Sequence, residues 1–199
     1  MKYLFIFAII SFSLITISCD ETEDLFDGGG TDPLIDREIA EAQDYNLSTP
    51  VYGMQVAVRG DVGLGDNAIM GILDRRATSF LDCQFEGGSD LGFEDVMLSN
   101  GDTIGPLSEL RVFVVPRRFE CEAVGLDRCN GIYFFGNDIL VVSVGNFSGC
   151  PDLPVWKHEL GHRYGMEADH SNLNEFRACT DEENCSFEDI IGFDGIQIE

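Results

Sequence analysis

All three histidines of this 199-residue chain fall within thirteen consecutive positions, as His158, His162 and His170. The first two enclose a glutamate in the run His158-Glu159-Leu160-Gly161-His162. Helical residues four apart stand one above the other on a single face, so a helix here lets both imidazoles converge on one ion. Glu159 is rotated about a quarter turn from them, which puts its carboxylate beside a water on that ion and outside the first coordination shell. Zinc lowers the pKa of its bound water to about 7, and a neighbouring carboxylate takes the proton as the water attacks a carbonyl. Glu159 is therefore the expected general base, returning the proton to the leaving amine. With so few histidines, chance would produce His-Glu-x-x-His in roughly a few chains per thousand.

The longer run HELGHRYGMEADHS, His158 to Ser171, resembles the metzincin clan of zinc peptidases, whose motif is His-Glu-x-x-His-x-x-Gly-x-x-His. The match is complete through Gly165. The resemblance implies a zincin-like α/β (α+β) fold: a mixed twisted sheet, an active-site helix and a small irregular C-terminal subdomain. It also implies one catalytic zinc ion and a protein or peptide substrate. In that clan the glycine ends the helix in a left-handed turn, a conformation glycine adopts without steric cost, and the chain doubles back to present a third ligand. At the clan's spacing that position is Ala168, which has no donor atom. Two inserted residues, Glu167 and Ala168, bring Asp169-His170-Ser171 into line with the Asp-His-Ser of matrixin-type members and make His170 the third ligand. Asp169, needing one inserted residue, and the more distant Glu175 stand as alternatives. No methionine follows Met166, so the methionine turn under the metal of most metzincins has no counterpart. Clan members lay extended substrate along an edge strand ahead of the motif helix, here Gly131 to Asn137. Phe134 and Phe135 within it are read as core, and Tyr164 as a packing residue in preference to an oxyanion donor.

The N-terminus points outside the cytoplasm. Lys2 precedes an apolar run from Tyr3 to Ile17, then small Ser18 and Cys19, a signal peptide too short for a stable membrane span. Cys19 resembles the lipid-accepting cysteine of bacterial lipoproteins, although Thr16, Ile17 and Ser18 match the usual processing site imperfectly; ordinary cleavage leaving a free thiol is the alternative. The expected location is the outer membrane or cell surface, or else the periplasm or medium. The membrane is then touched only through the anchor. Without Cys19 an even six cysteines remain, Cys83, Cys121, Cys129, Cys150, Cys179 and Cys185, as a disulfide framework requires. Sequence proximity suggests Cys121 with Cys129 and Cys179 with Cys185. Thirty-six acidic against 12 basic residues give a formal charge of −24, which excludes nucleic acid as a partner. Calcium has no support, because Asp181-Glu182-Glu183-Asn184 lacks an EF-hand pattern and reads as a solvated loop.

The chain divides into a signal segment over 1–18, an acidic glycine-rich tether over 19–33 with no means of burying a core, and one domain over 34–199. Helical composition marks Asp36 to Tyr45, and helical spacing of Ile69, Ile72, Leu73, Ala77, Phe80 and Leu81 marks Ala68 to Cys83. Strands are expected at Val51 to Val58, Arg111 to Val115, Ile132 to Phe135 and Ile139 to Val144, with Asp152 capping a motif helix that starts near Pro154. The expected function is a zinc endopeptidase. A non-catalytic zincin-fold binding or adhesion lipoprotein is the first rival, against which the intact Glu159 argues, and a hydrolase of non-peptide bonds is the second.

Overall fold

The computed structural model describes residues 34–60, 62–123, 126–147, 150–153 and 155–180. The signal segment, Cys19, the tether, Pro154, the acidic run 181–184 and Cys185 lie outside these residues. The described part is a mixed α+β structure built on a five-stranded mixed sheet.

The sheet is centred on the most continuously apolar runs of the chain. Strand β5 (Arg111–Val115) lies between β2 (Gln55–Val58) and β9 (Ile139–Ser143), all three parallel. Parallel strands covered on both faces read as unbroken apolar runs, and RVFVV and ILVVS are almost wholly buried. Antiparallel strands close the two edges, β1 (Leu47–Ser48) against β2 and β8 (Gly131–Phe134) against β9. Small two-stranded pairings complete the β structure: β3 (Val96–Met97) with β4 (Thr103–Ile104), β6 (Phe119–Ala123) with β7 (Leu126–Cys129), and β10 (Gly145–Phe147) with β11 (Cys150–Asp152).

Strand alternation sends side chains to two cores. On one face Val56, Val112, Val114, Leu140 and Val142 pack with the long helix α2 (Asp66–Gln84) through Ile69, Leu73, Ala77, Phe80 and Leu81, and with Trp156 and Leu160 of α3 (Trp156–Arg163). On the other, Phe113, Val115, Ile139 and Val141 pack with Ile35, Ala40 and Phe119 beside the short helix α1 (Arg37–Glu41). Asp36 caps α1, its carboxylate accepting from the Ile39 N–H at 2.8 Å.

Three local expectations change. The strand expected from Val51 begins only at Gln55, because the buried Asp74 carboxylate accepts the Val51 and Tyr52 N–H groups at 2.7 and 3.2 Å and Gly53 turns the chain at φ +73°. Asp152 does not cap the motif helix: it belongs to β11, and α3 starts at Trp156 with Val155 at its N-cap and no side-chain cap. Cys179, in α4 (Leu173–Thr180), bonds to Cys83 of α2, 96 residues away, and not to Cys185. The expected Cys121–Cys129 disulfide is present and ties β6 to β7.

Two contacts hold α3 and the residues leading into it in place against α2. The Trp156 indole N–H donates to the Leu73 carbonyl at 3.1 Å, and the Arg76 guanidinium donates to the Leu153 carbonyl at 3.2 Å. Among the described residues, no helix is long and apolar enough to cross a membrane.

Candidate metal centre

The last turn of α3 shows how the sequence turns the chain back on itself. Gly165 sits at φ +105°, its N–H donating to the His162 carbonyl at 3.3 Å, and the Met166 N–H reaches the Gly161 carbonyl at 2.9 Å. These two bonds form a Schellman motif with glycine at its left-handed position, closing carbonyls the helix leaves open. The fully buried Met166 side chain packs back on Gly161, where an added Cβ would lie 3.2 Å from the methionine methyl.

The return loop is then stapled by a side chain that sequence patterns do not mark. Asn172 accepts the Glu167 N–H at 2.8 Å through its side-chain oxygen and donates its amide to the Gly165 carbonyl at 2.9 Å. Within that loop His170 adopts φ +58°, a left-handed backbone uncommon for a non-glycine residue. Such conformations persist where surrounding structure over-determines them, and they cluster at functional sites. Here the consequence is visible: the His170 ring is carried back over the motif helix.

One ligand atom from each of His158, His162 and His170 lies within 4.8 Å of the others, the one group of metal-ligating side chains found among the described residues. His158 Nε2 and His170 Nε2 are 3.1 Å apart. Two nitrogens on a tetrahedral ion at ~2.0–2.1 Å stand about 3.3 Å apart, so the spacing suits such an ion. The ring centroids are 4.9–5.1 Å apart. The His162 Nδ1–H donates to the Met166 carbonyl at 3.0 Å, leaving its Nε2 lone pair for a metal. Burial holds His158 down to about 3, with the other two imidazoles adding to the shift. Burial likewise holds His162 down to about 4, against the opposing pull of the Met166 carbonyl. Both are therefore neutral at pH 7, the form that binds metal. His170 is exposed and His158 half-buried, so the cluster opens to solvent.

The alternative third ligands stand elsewhere. The Asp169 carboxylate accepts the Ser171 N–H at 3.0 Å, which holds its pKa low, and it takes no part in the cluster. Glu175 lies in the first turn of α4, also outside it. Tyr164 is buried against Phe80 and Phe85, in keeping with packing. The two phenylalanines expected in the core part company: Phe134 packs on the second core, whereas Phe135 is 46% exposed, its ring 6.0 Å from that of His162. Phe135 lies just past the end of β8, in the turn to β9, its ring 5.0 Å from that of Tyr133.

Glu159 is buried, and burial pushes its carboxyl up to about 8, opposed by a hydrogen bond from the Tyr133 backbone N–H. Without a metal this carboxyl is favoured in its protonated form when folded, against 4.5 for the unperturbed group. Between those values the native state holds more protons than the unfolded state, so the contribution of Glu159 to stability is present below pH 4.5 and lost as pH rises towards about 8. Glu159→Gln has no such term. In metal-free protein, urea midpoints of the Gln variant should gain on wild type from pH 5 to about 8 and then hold a constant lead; parallel profiles would show that the carboxyl is not buried this way.

No family model, curated protein or solved structure matches this chain.

Proposed function

We propose that this chain is an exported zinc endopeptidase, lipid-anchored at Cys19, that hydrolyses peptide bonds with Glu159 as general base. The observation that carries the reading is the convergence of three imidazoles from two separate segments, with a buried carboxylate one residue from the first of them. Three histidines leave a fourth position for water, which separates a catalytic zinc site from a closed structural one. The antiparallel edge strand β8 beside α3 is also in keeping with a zincin-like architecture.

When bound, zinc supplies Lewis acidity that lowers the pKa of a coordinated water to about 7. The residues of the chain supply the rest. His158, His162 and His170 would hold the ion, and the Met166 carbonyl fixes the His162 tautomer. Glu159 takes one proton from the attacking water and returns it to the departing nitrogen, so one peptide bond and one water become a carboxylic acid and an amine. The ion's positive charge favours the ionised Glu159 against the burial that raises its pKa. The exposed Phe135, next to His162, offers an apolar surface to a substrate side chain.

The test is elemental analysis of oxidised protein together with digestion of a peptide library, with and without chelator. One zinc per chain and chelator-sensitive cleavage are expected. Stoichiometric zinc without cleavage of any peptide would leave a metal-binding protein and overturn the peptidase reading; no transition metal would overturn both.

A further inference from the structure

The base is held by an element that the motif does not contain. Gly131 and Tyr133 lie two apart on β8, the outermost strand of the sheet. The Asn130 carbonyl accepts the Ser143 N–H at 2.7 Å, so alternation turns the backbone groups of Gly131 and Tyr133 away from β9, outward over α3. The Tyr133 N–H meets the Glu159 carboxylate there. At Gly131 the missing side chain is what makes room: a Cβ would stand 2.5 Å from Val155 Cγ2, 2.6 Å from Glu159 Cγ and 2.8 Å from Glu159 Oε1. Glu159 is only 7% exposed, so it cannot relieve that overlap by swinging into water.

The far end of β8 is locked to the same helix. Arg163, next to His162, has a fully buried side chain whose Nε and Nη2 donate to Asp138 Oδ1 and Oδ2, each at 2.8 Å. Nη2 also donates to the Gly105 and Pro106 carbonyls at 2.9 and 3.2 Å. Asp138 stands in the β8–β9 turn at φ +49° and accepts the Tyr133 hydroxyl at 3.0 Å. Planar two-point pairing of this kind fixes orientation as well as distance.

We propose that the outer edge of β8 is the seat of the base: Gly131 provides the space and Tyr133 the N–H that hold the Glu159 carboxylate, and the Arg163–Asp138–Tyr133 network locks this seat to the metal-bearing helix. Gly131, Tyr133, Asp138 and Arg163 are positioning residues. Their effect on cleavage rests on the peptidase reading; their effect on how Glu159 is held does not.

Two sets of measurements decide it. In metal-free protein, a cycle of Gly131→Ala, Glu159→Ala and the double variant should show coupling on the order of tenfold in the unfolding constant, because truncating Glu159 removes two of the three overlapping atoms. Additive effects would overturn the seat. Tyr133→Phe, which keeps the backbone N–H and removes only the hydroxyl, and Arg163→Lys, which keeps the charge and loses the fork, should each speed hydrogen exchange at the Tyr133 amide. Unchanged exchange in Tyr133→Phe would overturn the lock, even if Arg163→Lys fails to fold. In zinc-loaded protein, Gly131→Ala and Tyr133→Phe should lower kcat while zinc stoichiometry and KM stay at wild-type values. A loss confined to KM or to zinc content would overturn the positioning role. Should the wild-type protein cleave no peptide, the peptidase reading fails while the metal-free cycle still judges the seat.

Discussion

Glu159→Gln is expected to bind zinc as wild type does and to lose about 10²–10⁴-fold in kcat, the range contributed by a positioned general base. The amide has nearly the shape of the carboxylate, so it fills the same space over Gly131 and can accept the Tyr133 N–H through its oxygen. It touches none of the three imidazoles, His158, His162 and His170, that lie close enough to hold an ion. What it cannot do is accept and return a proton. The fold should if anything gain stability without metal, because a neutral amide avoids the desolvation that raises the Glu159 carboxyl to about 8. Loss of turnover with retained zinc and retained or improved stability is a combination that misfolding does not produce. Cleavage within tenfold of wild type would show that another group is the base.

What the sequence makes legible is set by the range of the forces involved. Helical spacing of two histidines is a local property, and so is the left-handed glycine that follows them; both appear as expected at His158, His162 and Gly165. His170 is readable because every histidine of the chain falls within thirteen positions, and the structure brings all three together. Unbroken apolar runs such as ILVVS announce strands buried on both faces before their neighbours are known. Other features depend on partners far along the chain. Cys179 bonds to Cys83 across 96 residues, whereas proximity in sequence favours Cys185. Asp74, 23 residues from Val51, shortens the expected strand by taking N–H groups that a longer β2 would have used. The seat of Glu159 combines a glycine with no positive-φ requirement, a backbone N–H and an arginine whose partner is 25 residues away. None of these leaves a periodic trace.

Removing the Cys83–Cys179 disulfide as paired serines is expected to cost about 3–5 kcal/mol, the loop-entropy value for a closed loop near 100 residues. For a domain of this size that lowers Tm by roughly 10–15 °C, read by calorimetry of the metal-free protein. The bond joins α2, packed on the sheet, to α4, whose first residue, Leu173, donates its N–H to the His170 carbonyl at 3.1 Å. His158 and His162 are anchored independently through Trp156 and the Met166 turn. Freeing α4 therefore loosens one ligand of three, and the zinc Kd should rise with it. Linkage then gives the sign of a second observation: bound zinc stabilises the native state by RT ln(1 + [Zn]/Kd), so a weaker Kd makes the disulfide's loss cost more in saturating zinc than without metal. The excess should equal RT times the logarithm of the Kd ratio measured separately by titration. Equal costs in the two states would show that the bond serves the fold alone and that the His170 loop keeps its geometry through Asn172 without help from α4.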